Sequence, residues 1–179
     1  MNNIKNQRKL SLLILLIILI SFFSGCINSS DDNIDTGENF TFTYIDGSLK
    51  NLKDYRGKVV ILDMWATWCS PCKSQMLELI KVYEKYDRNE LEILSIDVDT
   101  RETIQLIENY KSNFNQNYDV ELNWVFGLDN GSIWEKYQLE RGGIPTTYIF
   151  DKNGEIKYSA EGLTSYSVIC EKIDELLEV

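Results

Sequence analysis

The sequence predicts an α/β domain in which a mixed β-sheet is flanked by helices, with an additional hairpin at its N-terminal end. Three observations carry this. "VVILDMW" (59–65) and "LEILSID" (91–97) are apolar, β-branched runs of strand length, the pattern of strands buried on both faces. Each is followed by a segment whose apolar residues recur at helical spacing, and such alternation builds parallel strands joined by helices. "TTYIFD" (146–151), an Asn153-Gly154 turn and "EIKYSAEG" (155–162) then read as an antiparallel hairpin, which makes the sheet mixed.

Lys5, Arg8 and Lys9 precede the apolar run Leu10 to Phe23, and "SGC" closes on Cys26. A basic start, an apolar stretch and small residues make residues 1–26 an export signal. "FSGC" resembles the bacterial lipoprotein processing motif, in which Cys26 becomes the lipidated first residue. The alternative is that Leu10 to Ile27 stays uncut as an anchor, since its 18 residues just reach spanning length. The positive charge lies before the run, so the rest of the chain is expected outside the cytoplasm. Residues 27–38, rich in Asp, Asn and Ser, read as a flexible linker to a domain spanning 39–179.

Within that domain, Phe40, Phe42 and Tyr44 alternate before turns at Asp46-Gly47 and Arg56-Gly57, which predicts a short first hairpin. After the strand 59–65, Met76, Leu79, Ile80, Tyr83 and Tyr86 define a helix beginning near Pro71. A second helix is expected over 101–114, with Glu102 in its first turn where a carboxylate suits the dipole. The Asn-rich tract 113–119 reads as a loop, and Val120, Leu122, Trp124 and Phe126 alternate as a strand does. "SIWEKYQ" suggests a short helix. The last helix, Ser165 to Glu178, carries Val168, Ile169, Ile173, Leu176 and Leu177.

Composition narrows the chemistry. The net charge is −10 and no basic stripe is present, which argues against a nucleic-acid surface. There is no histidine, which excludes imidazole metal ligands, histidine-assisted nucleophilic catalysis and a histidine proton shuttle. The remaining chemistry runs on thiols, carboxylates or backbone groups.

"DMWATWCSPCKSQM" (63–76) places Cys69 and Cys72 two residues apart at a strand-to-helix junction. A zinc or iron–sulfur centre needs about four ligands; Cys26 belongs to the membrane end and Cys170 lies alone in the last helix, so neither metal nor cofactor is expected. A structural disulfide is the alternative, although so small a ring gains little unfolded-state entropy. Cys69 at a helix N-terminus has free N–H groups to stabilise a thiolate, whereas Cys72 lies one turn further in. Cys69 is therefore the expected attacking thiol and Cys72 the resolving one. Pro71 restrains the first turn without removing a needed N–H. Asp63, a charge inside an apolar strand, shares a face with Ile61 and Trp65; it is the candidate proton acceptor for Cys72, or else a carboxylate held by structural hydrogen bonds.

"VVILDMWATWCSPCK" followed by "GGIPTTYIFDKNG" resembles the thioredoxin superfamily, and the export signal with the first hairpin resembles its membrane-tethered TlpA/ResA-like branch of thiol-disulfide oxidoreductases. The resemblance implies a thioredoxin-like fold over residues 39–179. It implies that Trp68 flanks the attacking thiol, that Pro145 is a cis-proline facing the disulfide, and that Ile144 offers backbone hydrogen bonds to a bound peptide. The branch commonly has a glutamate and a proline where this chain has Gln75 and Leu77, which leaves Asp63 as the acceptor. The implied activity is reduction of disulfides in exported proteins, with electrons from a membrane donor. A disulfide-forming oxidase is the nearest rival. A binding module that uses the apolar surface around Trp68, Pro71 and Ile144 without chemistry is the reading from another class.

Overall fold

The computed structural model describes residues 35–178; the expected export signal, Cys26 and most of the linker lie outside the described residues. Seven strands form one sheet: β1 (Thr41–Tyr44), β2 (Leu49–Asn51), β3 (Val59–Trp65), β4 (Leu91–Asp97), β5 (Val125–Leu128), β6 (Thr146–Phe150) and β7 (Ile156–Glu161). Their order across the sheet is β2-β1-β5-β4-β3-β6-β7. The pairs β3/β4 and β4/β5 are parallel, whereas β1/β2, β1/β5, β3/β6 and β6/β7 are antiparallel. The sheet is thus mixed, with the expected hairpin at each end of the domain.

Helices α1 (Ser70–Lys85), α2 (Ile104–Tyr118), α3 (Ser132–Tyr137) and α4 (Tyr166–Leu177) cover the sheet. Alternation along β3 sorts the two cores. Val59, Ile61 and Trp65 join Met76, Leu79 and Val82 of α1, Ile107 and Phe114 of α2, and Ile169 and Ile173 of α4. Val60, Leu62 and Met64 face the opposite cluster with Phe42, Leu52, Ile133, Tyr137 and Phe150. Three helices therefore lie on one face. The short α3 and a 3-10 turn at Leu52–Tyr55 close the other. The connections explain this: β3, β4 and β5 step in one direction with right-handed crossovers, so α1 and α2 share a face, while the return to β6 brings α3 to the opposite one. Gly127 lets β1 approach β5, since a Cβ there would stand 2.5 Å from the Phe42 ring.

Three expectations are corrected. The second helix runs from Ile104 through Tyr118, across the tract read as a loop. Phe114 is buried and Tyr118 stacks on it at 4.6 Å between centroids, so an aromatic pair one turn apart outweighs the modest helix propensity of asparagine. Asp119 ends the helix in the left-handed region, and its N–H donates to the Asn115 carbonyl. Glu102 lies before the N-cap Thr103 rather than in the first turn. The strand read from Val120 to Phe126 begins only at Val125. Leu122 and Trp124 are buried as their alternation implies, but the Leu122 N–H is taken by the Asn115 side chain at 3.0 Å. Alternation records which side chains are inside, and backbone pairing is a separate matter.

The described chain enters the domain already in contact with it. Arg56 bonds both Asp35 oxygens at 3.1 Å, and Glu38 donates its N–H to the Gly154 carbonyl and accepts from the Tyr137 hydroxyl at 2.8 Å. Among the described residues no helix is long and apolar enough to cross a membrane.

Candidate active site

β3 carries the chain through the middle of the sheet and releases it at Ala66, so the loop 66–69 stands where β3 ends and α1 begins. Cys69 is the N-cap of α1, with Ser70 and Pro71 in its first turn. The Cys72 N–H donates to Cys69 Sγ at 3.2 Å, so the sulfur takes up one of the free amides that a helix start leaves over. Cys69 and Cys72 are joined in a disulfide, their Cα atoms 5.3 Å apart. Cys72 is completely buried, whereas Cys69 retains a sliver of exposure. This is the asymmetry expected of an outer and an inner thiol.

The loop "RGGIP" approaches from the β6 side. Gly142 adopts a positive φ of 62°, and the Ile144–Pro145 peptide is cis. The Ile144 carbonyl oxygen lies 3.7 Å from Cys69 Sγ. Trp68 projects outward, 64% exposed, with its indole N–H on Asp99 Oδ2 at 2.9 Å. On one side of Trp68 a groove of about 250 Å³ runs between Val98, Arg101 and Ile144. On the other a pocket of about 230 Å³ opens between Cys69, Lys73 and α2. Pro71 is exposed beside them. Trp68 borders both hollows, Cys69 lines one and Ile144 the other, whereas Pro145 is buried.

Asp63 lies behind that surface and is entirely buried. In register it stands between Ser95 of β4 and Thr147 of β6. The Ser95 hydroxyl donates to its Oδ2 at 2.9 Å and itself accepts from the Trp124 indole N–H at 2.9 Å, while Oδ1 has no partner. Burial pushes the Asp63 carboxyl up to about 7, with the Ser95 hydrogen bond acting weakly the other way. Such a group exchanges a proton near neutrality. The Ser95–Trp124 support escaped sequence reasoning; its signal was a lone serine in the apolar run "LEILSID".

Gln75 makes two hydrogen bonds to one residue. Its amide donates to the Thr164 carbonyl at 3.1 Å and its oxygen accepts the Thr164 N–H at 2.7 Å, all buried. The side chain therefore ties α1 to the segment before α4, and an uncharged amide is not a base for a thiol proton. Cys170 is free and buried on α4.

Comparison with known proteins agrees with this geometry. Residues 35–159 match the AhpC/TSA family. The chain is 31% identical over 163 residues to the thiol-disulfide oxidoreductase ResA of Oceanobacillus iheyensis, covering 85% of this chain and 79% of that one. It is 29% identical over 166 residues to the ResA of Bacillus cereus, covering 88% and 90%. Among solved structures, a thioredoxin-like protein from Aeropyrum pernix superposes with a TM-score of 0.61 at 27% identity, over 76% of this chain and 89% of that one. The cysteine pair at the helix start, the cis-proline loop beside it and these relatives agree: the chain belongs to the AhpC/TSA family of the thioredoxin superfamily, among its ResA/TlpA-like thiol-disulfide oxidoreductases.

Proposed function

We propose that the protein is a membrane-tethered oxidoreductase, facing out of the cytoplasm, that reduces disulfides in exported proteins through a Cys69–Cys72 dithiol cycle. The observation that carries this reading is the Cys69–Cys72 disulfide at the start of α1, its outer sulfur on the Cys72 N–H and next to the Ile144 carbonyl. Donation from that N–H stabilises a negative sulfur, so on reduction Cys69 is the thiolate and the nucleophile.

The cycle balances as follows. Cys69 thiolate attacks one sulfur of a client disulfide; a Cys69–client bond forms, and the client's other sulfur leaves as thiolate and takes a proton from water. Cys72 loses its proton to Asp63 and attacks Cys69 Sγ, releasing the second client thiolate and closing the Cys69–Cys72 disulfide. Two electrons have passed to the client. An external dithiol returns the enzyme to its reduced form; we assign that role to a membrane donor, in keeping with the N-terminal anchor expected from the sequence. Trp68, Pro71 and Ile144 form the client surface, with the Ile144 backbone pairing to an extended peptide.

Insulin reduction by the purified protein with a dithiol donor tests the reading. Wild type is expected to precipitate the insulin B chain catalytically, and C69S to do so no faster than the donor alone. An inactive wild type that still captures client peptides would establish the binding-module alternative.

A further inference from the structure

Residues 66–69, which deliver Cys69 to the surface, form a tight turn closed by the Cys69 N–H on the Ala66 carbonyl at 3.1 Å. Thr67 and Trp68 are its two central residues. Both are held from one side, by the loop that leads from β4 into α2. Asp99 takes the Trp68 indole N–H, at the tip of an exposed side chain. Glu102 takes Thr67 at both polar groups: the Thr67 N–H donates to Oε2 at 3.2 Å and its hydroxyl to Oε1 at 2.7 Å. Only the second grip reaches the backbone of the turn. Glu102 is itself fixed, since its N–H donates to the Asp99 carbonyl at 2.8 Å and its neighbour Thr103 is the N-cap of α2, accepting the Leu106 N–H at 3.3 Å.

We propose that Glu102 is a positioning residue for thiol-disulfide exchange: by tying the Thr67 backbone to the start of α2 it fixes the direction in which Cys69 Sγ meets a client disulfide. This role rests on the exchange reading above. In the oxidised protein Cys69 is tied twice, through its backbone and through the bond to Cys72. Reduction cuts the second tie. The nucleophilic form is thus the one in which hydrogen bonds to the turn matter most. The bond from Cys69 to Ala66 lies within the turn and leaves it free to swing as a unit, whereas the two Glu102 contacts anchor it to a helix. A nucleophile ordered before the encounter avoids the entropy loss of being ordered during it. Glutamate suits the task, because its two acceptor oxygens match the two donors that Thr67 offers.

The test uses the purified full-length protein in detergent, reduced, as wild type, E102A, E102Q and T67V. Two second-order rates are measured on each at pH 7: exchange with a peptide disulfide by stopped flow, and alkylation of Cys69 by iodoacetamide. Alkylation reports the reactivity of the thiol and makes no demand on docking geometry. The ratio of exchange to alkylation therefore reads positioning and cancels any change in thiolate fraction. E102A is expected to lower that ratio about tenfold. E102Q, whose amide oxygen accepts the Thr67 N–H while its NH2 donates to the hydroxyl oxygen, is expected to restore it to within about twofold of wild type. T67V keeps the N–H contact alone and is expected to fall between the two. An E102A ratio equal to wild type, or an equally low ratio in E102A and E102Q, overturns the proposal. Should E102A fail to fold, a T67V ratio equal to wild type does the same. A wild type that is alkylated but exchanges no faster than a small-molecule thiol counts against the exchange reading alone. Hydrogen exchange at the Thr67 amide then decides the grip: protection in wild type and E102Q is expected, and an unprotected amide in wild type overturns it.

Discussion

Asp63 is a carboxyl with one oxygen on Ser95 and the other bare, inside a strand whose every residue is buried. Its elevated pKa has two consequences. As the proposed acceptor for Cys72, its replacement in D63N is expected to slow resolution of a mixed disulfide by at least about tenfold near pH 7, with Cys69 thiolate formation little changed. Stopped-flow exchange with a peptide disulfide across pH 5 to 9 separates the two steps. An unchanged resolution rate returns Asp63 to a structural role. The second consequence is stability. The folded pKa of about 7 exceeds the unfolded value, so this contribution is fully present below about pH 4 and is lost as pH rises through 7. D63N is expected to flatten that window in denaturant titrations and to exceed wild type at pH 8 by on the order of 3–4 kcal/mol. At the thiols, C72S is expected to accumulate a Cys69–client adduct on non-reducing gels, because the second attack is lost, and C69S to accumulate little. Asp63 was legible in the sequence because a charge is conspicuous in an apolar strand. Its partners were not, because Ser95 and Trp124 reach it only through the register of β3 against β4 and the packing of the chain before β5.

At the scale of elements, α1 decides how the disulfide is presented, and Gln75 decides how α1 meets α4. Replacing Gln75 by glutamate keeps an acceptor for the Thr164 N–H but sets a carboxylate oxygen against the Thr164 carbonyl, now 3.1 Å from an amide donor. Q75E is therefore expected to lose about 2–3 kcal/mol at pH 7. Burial and the facing carbonyl raise the new carboxyl's folded pKa, so the loss should shrink as pH falls toward 4 and its proton becomes the donor. Chemical denaturation at the two pH values checks this, and an equal loss at both contradicts it. The strands and helices that bury a regular stripe were legible: β3, β4, α1 and α4 follow their periods. What failed was local. The Asn-rich turns of α2 are helical because Phe114 and Tyr118 pack there, and the residues before β5 are buried without a strand partner. Both outcomes depend on tertiary contacts that composition does not encode.

For the whole molecule, the proposed division is between a tether before residue 35 and a redox domain after it. If Cys26 is lipidated, C26A is expected to abolish the lipid mass increment in the purified protein; an intact N-terminus in the native protein would instead indicate an uncut anchor. Residues 28–179 alone are expected to be soluble, with a reversible Cys69–Cys72 disulfide and Cys170 reduced, as intact-mass and peptide mapping would record. The direction of electron flow is the central claim, and the most direct test is a redox titration of the Cys69–Cys72 couple against glutathione or thioredoxin at pH 7. A reductase is expected to have a midpoint near the roughly −270 mV of thioredoxin. A midpoint near the roughly −120 mV of a strong disulfide-forming oxidase would contradict the account.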